Sequence, residues 1–366
     1  MAVRFPARTQ DITPGLLTEL ISPQHPGVVV EDVAVTDEWT YGLGQVSAAA
    51  RLGLTVRYGG DPVELPERLI VKIDRRNNSP YPLYANEVEI YSRLRPGRIV
   101  NVPAFLGGAY DPESGSLGLL LEDLRVRSVK FPNVLVPVTL DDLRAVIDQV
   151  ARLHAAFWCS PRLTSDLSWM QSHVTGDIHS LYTDPDKRPA IIAYQLETTQ
   201  FKREMVQRLR TSGPELARLT AVVQRHQSTL PQTVVHGDAH IGNTFLIPDG
   251  GAGLVDWQLC VRGFGMHDVT YLLATSLPVA DRRAHERELI AYYADRLGEF
   301  GVTEPPAFES LWTEYRRAAV WCLYVGWLTV PVVNYGWEIT VGNHLRVTTA
   351  MEDLETLTEL RRLADG

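Results

Sequence analysis

Cysteine is scarce in this sequence. Only Cys159, Cys260 and Cys322 occur among 366 residues, and no two of them form a CxxC pair. This spacing argues against a disulfide framework and a zinc knuckle and is typical of a reducing compartment, so we expect a cytoplasmic protein. The chain also lacks a basic block and has a formal charge of −9, so we expect no nucleic-acid partner. A polyanionic ligand must then be held by a local site.

Long uncharged hydrophobic runs are also rare. The first 15 residues, MAVRFPARTQDITPG, contain no apolar core, so we do not expect a secretory signal. Residues 318–337 are uncharged over roughly the length of a membrane span. Gly326 and Pro331 interrupt them. We therefore interpret this run as a buried helix that breaks near Pro331, and we expect no membrane partner.

The first third of the sequence has the pattern of an antiparallel β-sheet with one helix. β-Branched and apolar residues predict strands over 28–35, 50–58, 67–74 and 116–124. Before the last of these, residues 84–94 carry apolar side chains at helical spacing and predict a helix. This order of elements indicates a β-rich lobe.

After about residue 125 the helical period dominates. Thr139 and Asp142 have the spacing of a capping box at the start of a helix predicted over 139–158. Its apolar positions recur with the period that buries one face of a helix. Further helical patterns follow, at 200–228, 281–298, 308–328 and 347–363.

Together these patterns predict an α+β fold of two lobes. The smaller lobe, antiparallel and β-rich, is predicted over 1–124, and the larger, mainly helical lobe over 125–366. We place the junction near 122–126. No internal repeat or low-complexity tract complicates this division.

Residues 234–258, VVHGDAHIGNTFLIPDGGAGLVDWQ, place two aspartates at the ends of apolar runs. Asp238 and Asn243 have the spacing D-x-x-x-x-N, in which the aspartate is a catalytic base and the asparagine binds a metal ion. Asp256 follows a hydrophobic run, where a second metal ligand is expected. Oxygen ligands of this kind suit Mg²⁺ better than zinc.

The same stretch has a second interpretation. His236, Asp238 and His240 form HxDxH, and side chains two apart on a strand share a face, so they could bind zinc in a hydrolase. Such a site needs a further ligand, for which His154 and His267 are the candidates. Neither of these two histidines stands in a metal-ligand pattern.

Upstream residues favour phosphoryl transfer. That reaction needs a loop over the nucleotide phosphates, a cation on them, magnesium ligands and a base. Lys72 ends LIVK on a predicted strand, as in V-A-I-K, and Glu87 on the next helix can form an ion pair with it. Gly42 and Gly44 lie in YGLGQVS, where a phosphate-covering hairpin loop is expected. All of these parts follow the order of the protein-kinase plan.

The segments HGDAHIGN and DWQ resemble the HGDxxxxN and D-[FW]-x signature of the aminoglycoside phosphotransferase and choline kinase-like superfamily. With LEDL and LHAAFW upstream, the chain looks most like the ecdysteroid-kinase-like branch. The resemblance implies a bilobal protein-kinase-like fold that binds ATP and Mg²⁺ in its cleft. It also implies that Asp238 is the catalytic base, Asn243 and Asp256 are magnesium ligands, and Lys72, paired with Glu87, binds phosphate.

Three further roles are predicted, the first of them from the resemblance. The backbone of Glu122, Asp123 and Leu124 would form the hinge that meets the adenine. His236 is expected to support the catalytic loop rather than carry a proton. Asp268 can cap the N-terminus of the helix that follows it, and the resemblance adds a role in bracing the catalytic loop.

The acceptor is predicted to be a small molecule that carries a hydroxyl group. About a dozen residues separate Asp256 from Asp268, too few for the activation segment of a protein kinase. The aromatic cluster Trp312, Tyr315, Trp321, Tyr324 and Trp327 forms either core or an acceptor pocket. Because this region is richer in aromatics than in acids, we expect a largely apolar metabolite or antibiotic.

A different class of function is a nucleotide-binding pseudokinase that acts as a scaffold. A protein that had lost catalysis would be expected to lack at least one of the residues that catalysis needs. The sequence has all of them: Lys72, Glu87, Asp238, Asn243 and Asp256. An ADP-release assay distinguishes the two. The zinc-dependent hydrolase is the third hypothesis, and zinc analysis of the purified protein tests it.

Overall fold

The structure is a computed structural model and describes residues 11–39, 49–60, 64–74, 82–113, 115–248 and 250–365. The chain divides into two compact units, an N-terminal unit of Met1–Val129 and a C-terminal unit of Lys130–Gly366. The predicted loop with Gly42 and Gly44 lies outside the described residues.

The N-terminal unit contains an antiparallel sheet of five strands in the order β1-β2-β3-β5-β4. The helix α1 (Pro14–Ile21) packs on this sheet, and its Leu17 is fully buried with Leu52 and Val71 in one apolar core. The strands are β1 (Val28–Trp39), β2 (Ala49–Gly60), β3 (Arg68–Asp74), β4 (Phe105–Asp111) and β5 (Ser116–Glu122).

The sequence did not predict β4, because two glycines interrupt its apolar pattern. A Cβ atom added to Gly107 would lie 2.1 Å from the carbonyl oxygen of Leu20 in α1. The glycine is therefore required by the close approach of the helix to the strand. The predicted helix over 84–94 is α2 (Pro82–Glu89) extended by one π-helical turn, Ile90–Leu94.

The C-terminal unit is mainly helical. The first helix, α3, begins with the predicted capping box, in which Thr139 Oγ1 accepts from the Asp142 amide over 3.0 Å and Asp142 Oδ2 accepts from the Thr139 amide over 2.9 Å. The helices are α3 (Leu140–Phe157), α4 (Gly176–Thr183), α5 (Arg188–Thr198), α6 (Gln200–Arg208), α7 (Gly213–Gln227), α8 (Met266–Ser276), α9 (Val279–Glu299), α10 (Phe308–Trp321), α11 (Trp337–Asp353) and α12 (Thr356–Asp365).

Four short strands lie between α7 and α8, and the segments between them contain Asp238, Asn243 and Asp256. β6 (Thr233–Val235) pairs with β9 (Val261–Gly263), and β7 (Thr244–Ile247) pairs with β8 (Gly251–Leu254), both antiparallel. With the N-terminal sheet and the helices that follow, they confirm the predicted α+β fold class.

Two helices predicted as continuous are broken. The pattern over 200–228 divides into α6 and α7, and the pattern over 347–363 is interrupted at Glu355, whose φ is 51°. The apolar run 318–337 continues α10 as a π-helix, Cys322–Trp327, that ends before Pro331. Within the described ranges, no helix combines the length and the apolar character that crossing a membrane requires.

Candidate functional site

In the N-terminal unit, Lys72 on β3 forms the ion pair that the sequence predicts with Glu87 on α2. The distance from Lys72 Nζ to Glu87 Oε2 is 2.7 Å, and the two side chains are 8% and 2% exposed. Lys72 lies in the middle of the sheet, opposite Arg51 on β2 and Leu119 on β5. Burying both charges is costly unless they pair, so each side chain fixes the other.

The predicted hinge residues follow β5. The amide of Glu122 donates to the Ala104 carbonyl over 2.9 Å and the amide of Asp123 donates to the Arg68 carbonyl over 3.0 Å. These bonds join the end of β5 to its two neighbours in the sheet, β4 and β3. The chain then enters a 3₁₀ turn, Leu124–Arg127. Two of the three backbone amides in the predicted hinge therefore already donate to protein carbonyls.

In the C-terminal unit, Asp268 holds the backbone of the HGD segment. Its Oδ2 accepts from the His236 amide over 2.6 Å and from His154 Nε2 over 3.1 Å, and its Oδ1 accepts from the Gly237 amide over 2.8 Å. Burial opposes ionisation, but the hydrogen bond from His154 and the neighbouring histidines outweigh it and lower the pKa of Asp268. The carboxylate braces the loop.

The prediction that Asp268 caps its helix is wrong. α8 begins at Met266, and Gly265 is the N-cap, so Asp268 lies inside the first turn. Its oxygens accept from the amides of His236 and Gly237 in the HGD segment rather than from amides of its own helix.

His236 links the two aspartate-bearing segments. Its Nδ1 accepts from the Asp238 amide over 3.3 Å, and its Nε2 donates to the carbonyl of Val255, the residue before Asp256, over 3.0 Å. Burial lowers the pKa of His236, which favours this single neutral tautomer. Because both ring nitrogens are engaged, His236 supports the loop and is a poor metal ligand.

This geometry does not favour the zinc-hydrolase hypothesis. His240 Nδ1 accepts from the Gly242 amide over 3.1 Å, so this ring too is engaged by its own loop. His154 bonds to Tyr293 and Asp268, which makes it a satisfied core histidine. In the described part of the chain, no group of three or more His, Cys, Asp or Glu side chains is arranged to hold a metal ion.

Asp238, Asn243 and Asp256 come together in the C-terminal unit. Asn243 Nδ2 donates to the carbonyl oxygen and to Oδ2 of Asp238, each over 3.0 Å. The Val255 amide donates to the Asn243 carbonyl over 2.9 Å, which brings Asp256 to the same place. Burial and the nearby Asp256 carboxylate raise the pKa of Asp238 to about 8.

Asn243 and Asp256 offer oxygen donors beside Asp238 that fit a hard divalent cation. Because Asn243 directs its nitrogen at Asp238, its Oδ1 points away from that carboxylate. Asp256 adds a second carboxylate, held in the left-handed conformation with φ 65° immediately after the β7–β8 hairpin. Carboxylate and amide oxygens are what magnesium prefers, and a cation would offset the repulsion that raises the pKa of Asp238.

Sequence reasoning missed three further contacts to this loop, all from α8. His267 Nε2 donates to the Gly237 carbonyl over 3.1 Å, and Thr275 Oγ1 accepts from the Ile241 amide over 3.3 Å. Between them, the ring of Tyr271 lies 5.4 Å from that of His240. The three residues are spaced i, i+4, i+8, so the helical period of HDVTYLLAT, residues 267–275, could have indicated their shared face.

The aromatic cluster over 312–327 is mainly core. Tyr315, Trp321 and Tyr324 are at most 1% exposed. Trp327, at the end of the π-helix, lies beside the loop that follows the HGD segment, with its ring 6.0 Å from that of His240 and 5.8 Å from that of Tyr335. Tyr335 is 41% exposed, so a line of rings runs from His240 to the surface of this unit.

Comparison with known proteins gives a family and several structural likenesses. A model of the phosphotransferase enzyme family matches residues 55–308. No curated protein matches the chain in sequence. A choline kinase from Streptococcus pneumoniae is 12% identical with a TM-score of 0.48, covering 93% of this chain and 98% of that one.

Two other solved structures are similar. An aminoglycoside phosphotransferase from Streptomyces rimosus is 19% identical with a TM-score of 0.45, covering 78% of this chain and 95% of that one. A spectinomycin phosphotransferase in complex with ADP and spectinomycin is 12% identical with a TM-score of 0.48, covering 97% and 99%. At these identities and scores, the assignment rests on the family match.

Proposed function

This chain belongs to the phosphotransferase enzyme family, and on that premise we propose that it transfers the γ-phosphoryl group of ATP to a hydroxyl group of a small, largely apolar molecule. The coarser statement, a small-molecule phosphotransferase, follows from the family. The finer proposal is carried by one observation, the joining of Asp238, Asn243 and Asp256 through hydrogen bonds of their own loops.

Asp238 is the proposed catalytic base. Its carboxylate is oriented by Asn243. Its amide donates to His236 Nδ1, and Asp268 holds the amides of the two residues before Asp238. Asp238 would accept the proton of the acceptor hydroxyl as the oxygen attacks phosphorus, a role that depends on positioning. Magnesium, when bound by Asn243 Oδ1 and the Asp256 carboxylate, would supply positive charge to the phosphoryl oxygens.

The N-terminal unit contributes the proposed nucleotide contacts. Lys72 would neutralise the α- and β-phosphates, and Glu87 would hold its ammonium group in place, as their 2.7 Å ion pair does already. Since the amides of Glu122 and Asp123 donate to the carbonyls of Ala104 and Arg68, we assign the adenine contact of the hinge to the backbone at Leu124. The loop with Gly42 and Gly44 stays proposed as the phosphate cover.

The line of rings supports an apolar acceptor. His240 follows Asp238 by two residues, and Trp327 and Tyr335 continue from it toward solvent. Flat aromatic faces favour apolar or ring-bearing ligands, with a few polar groups fixing orientation. A hydroxyl on such a ligand is the group that we propose to be phosphorylated.

The test is an acceptor screen with the full-length protein. ATP, Mg²⁺ and a pooled library of hydroxylated metabolites are incubated with the protein and read by mass spectrometry for a phosphate mass gain. The Asp238→Ala variant is expected to abolish the gain while leaving nucleotide binding nearly intact by calorimetry. Asp281→Ala, an exposed position in the first turn of α9, is the matched control. Equal transfer by the Asp238 and Asp281 variants would refute the assignment.

A further inference from the structure

Gly237 lies immediately before the proposed base, at a position of the loop where few residue types can fit. Its φ is +81°, and a Cβ atom there would lie 1.9 Å from the Leu259 carbonyl oxygen. Only glycine fits such a conformation and such an approach. Gly237 has no side chain with which to fix its own backbone, so the direction of the Asp238 carboxylate depends on the contacts that other residues make to this backbone.

The peptide group that joins Gly237 to Asp238 is held at both ends by imidazoles. Its N–H, which belongs to Asp238, donates to His236 Nδ1 over 3.3 Å. Its carbonyl, which belongs to Gly237, accepts from His267 Nε2 over 3.1 Å. Fixing both ends of this peptide plane fixes the direction in which the Asp238 Cα–Cβ bond leaves the loop.

His267 is placed for this contact at a cost. It is 2% exposed, and its ring lies 4.2 Å from that of His173 and 4.6 Å from that of Trp321. Among the described residues, its Nδ1 is buried with no hydrogen-bond partner. An apolar side chain of similar volume would fill this space without leaving a buried polar atom unsatisfied. The bond to Gly237 is thus what the imidazole adds beyond packing.

We propose that His267 is a positioning residue for the reaction, because its Nε2–H fixes the Gly237–Asp238 peptide and, through it, the Asp238 carboxylate. The inference rests on the proposed function, since it assumes that Asp238 is the base. His267 touches neither the acceptor nor the nucleotide in this role. Its effect is expected on turnover rather than on nucleotide binding.

The experiment compares three variants of the full-length protein. His267→Met fills the site but has no donor, and His267→Gln retains an N–H near the position of Nε2. His173→Met removes the neighbouring buried imidazole, which makes no side-chain bond to the loop, and is the matched control. We expect His267→Met to lower kcat by up to about 100-fold with the KM for ATP unchanged. His267→Gln should regain most of the loss, and His173→Met should keep the wild-type kcat.

A second measurement does not depend on activity. Hydrogen exchange of the segment 234–241, followed by mass spectrometry, reports how firmly the loop amides are held. Exchange should accelerate in His267→Met and return toward wild type in His267→Gln. If His267→Met does not fold, His267→Asn replaces it, since the shorter amide cannot reach the Gly237 carbonyl.

The outcomes separate the hypotheses. The proposal is overturned if folded His267→Met or His267→Asn keeps both wild-type kcat and loop protection. It is also overturned if His173→Met loses as much kcat as His267→Met, because packing alone would then explain the loss. If the wild type phosphorylates no acceptor while exchange still responds to His267, the proposed function fails and His267 remains only an anchor of the loop.

Discussion

The two units hold their principal charged side chains in different ways. In the N-terminal unit, Lys72 is fixed by another side chain, Glu87, across a strand and a helix. In the C-terminal unit, Asp238 is fixed mainly through backbone groups of its own loop, which Asp268 and His267 hold from α8. A side-chain pair can be lost through either partner. A backbone held at several points should tolerate the loss of any one contact better than a side-chain pair does. It should tolerate the loss of Asp268 poorly, because that carboxylate accepts from two amides of the loop.

The largest expected effect tests the C-terminal unit directly. Asp256→Asn removes a proposed magnesium ligand charge, and we expect kcat/KM to fall by about 10³-fold, equivalent to about 4 kcal/mol. The Mg²⁺ concentration for half-maximal activity should rise in a steady-state titration. Wild-type magnesium dependence in this variant would contradict the assignment of Asp256.

A smaller effect concerns the bracing of the loop. Asp268→Asn replaces an ionised acceptor of three hydrogen bonds by an amide, and we expect the free energy of unfolding to fall by about 3 kcal/mol. Urea denaturation measures the loss. Asp281→Asn, at an exposed site of α9, is the control. If both variants unfold at the same urea concentration, the C-terminal unit is not held through Asp268.

The corresponding change in the N-terminal unit should act on the nucleotide. Lys72→Met removes the ammonium group that pairs with the buried Glu87 carboxylate and that we propose to contact the phosphates. We expect kcat/KM for ATP to fall by about 100-fold, or about 2.7 kcal/mol. Adding Glu87→Gln should restore stability, because the buried carboxylate that lost its cation is then replaced by a neutral amide, but it should not restore nucleotide binding. A double-mutant cycle followed by denaturation and by ATP titration checks both. An unchanged KM for ATP in Lys72→Met would contradict the proposal that Lys72 of the N-terminal unit contacts the nucleotide.

The smallest effect concerns Lys202 on α6, which lies fully buried in the C-terminal unit. Its Nζ donates to Gln195 Oε1 over 3.0 Å and to the carbonyls of Leu328, over 3.3 Å, and Val330. Burial lowers the pKa of Lys202 from 10.5 to about 8. Between these values the unfolded state binds more protons than the folded state, so the free energy of unfolding should rise with pH.

The expected rise from pH 8 to pH 10 is about 2 kcal/mol. Lys202→Met should lack this increment, and denaturation of both proteins across the window measures the difference. Parallel pH dependences for the two proteins would show that Lys202 keeps an ordinary pKa.

The sequence predicted best those features that side-chain type reveals. A lysine, three acids and an amide in the order and spacing of a kinase form a specific pattern. The sequence therefore predicted the candidates Lys72, Glu87, Asp238, Asn243 and Asp256. The α+β fold class and the superfamily are confirmed. The closer likeness to the ecdysteroid-kinase-like branch stays a prediction, as do the individual site roles.

Features that depend on the backbone were missed. The bonds from Thr275 and His267 engage an amide and a carbonyl, which every part of a chain possesses, so no residue type marks their partner. β4 was missed because the close approach of α1 requires glycine at position 107, and glycine does not favour strands. The helix break at Glu355 rests on a left-handed φ of 51°, which glutamate gives no sign of adopting.

His267, Tyr271 and Thr275 follow one another at intervals of four residues on α8, so this helix sets the length of the loop from Gly237 to Ile241 that packs against it. Eight residues of α-helix span about 12 Å, and the loop from Gly237 to Ile241 meets the helix at the two ends of that length. Inserting one residue between the two ends would turn the second contact about 100° around the axis. Loop and helix can therefore lengthen or shorten only together, and a single insertion in this short stretch should do more harm than most substitutions within it.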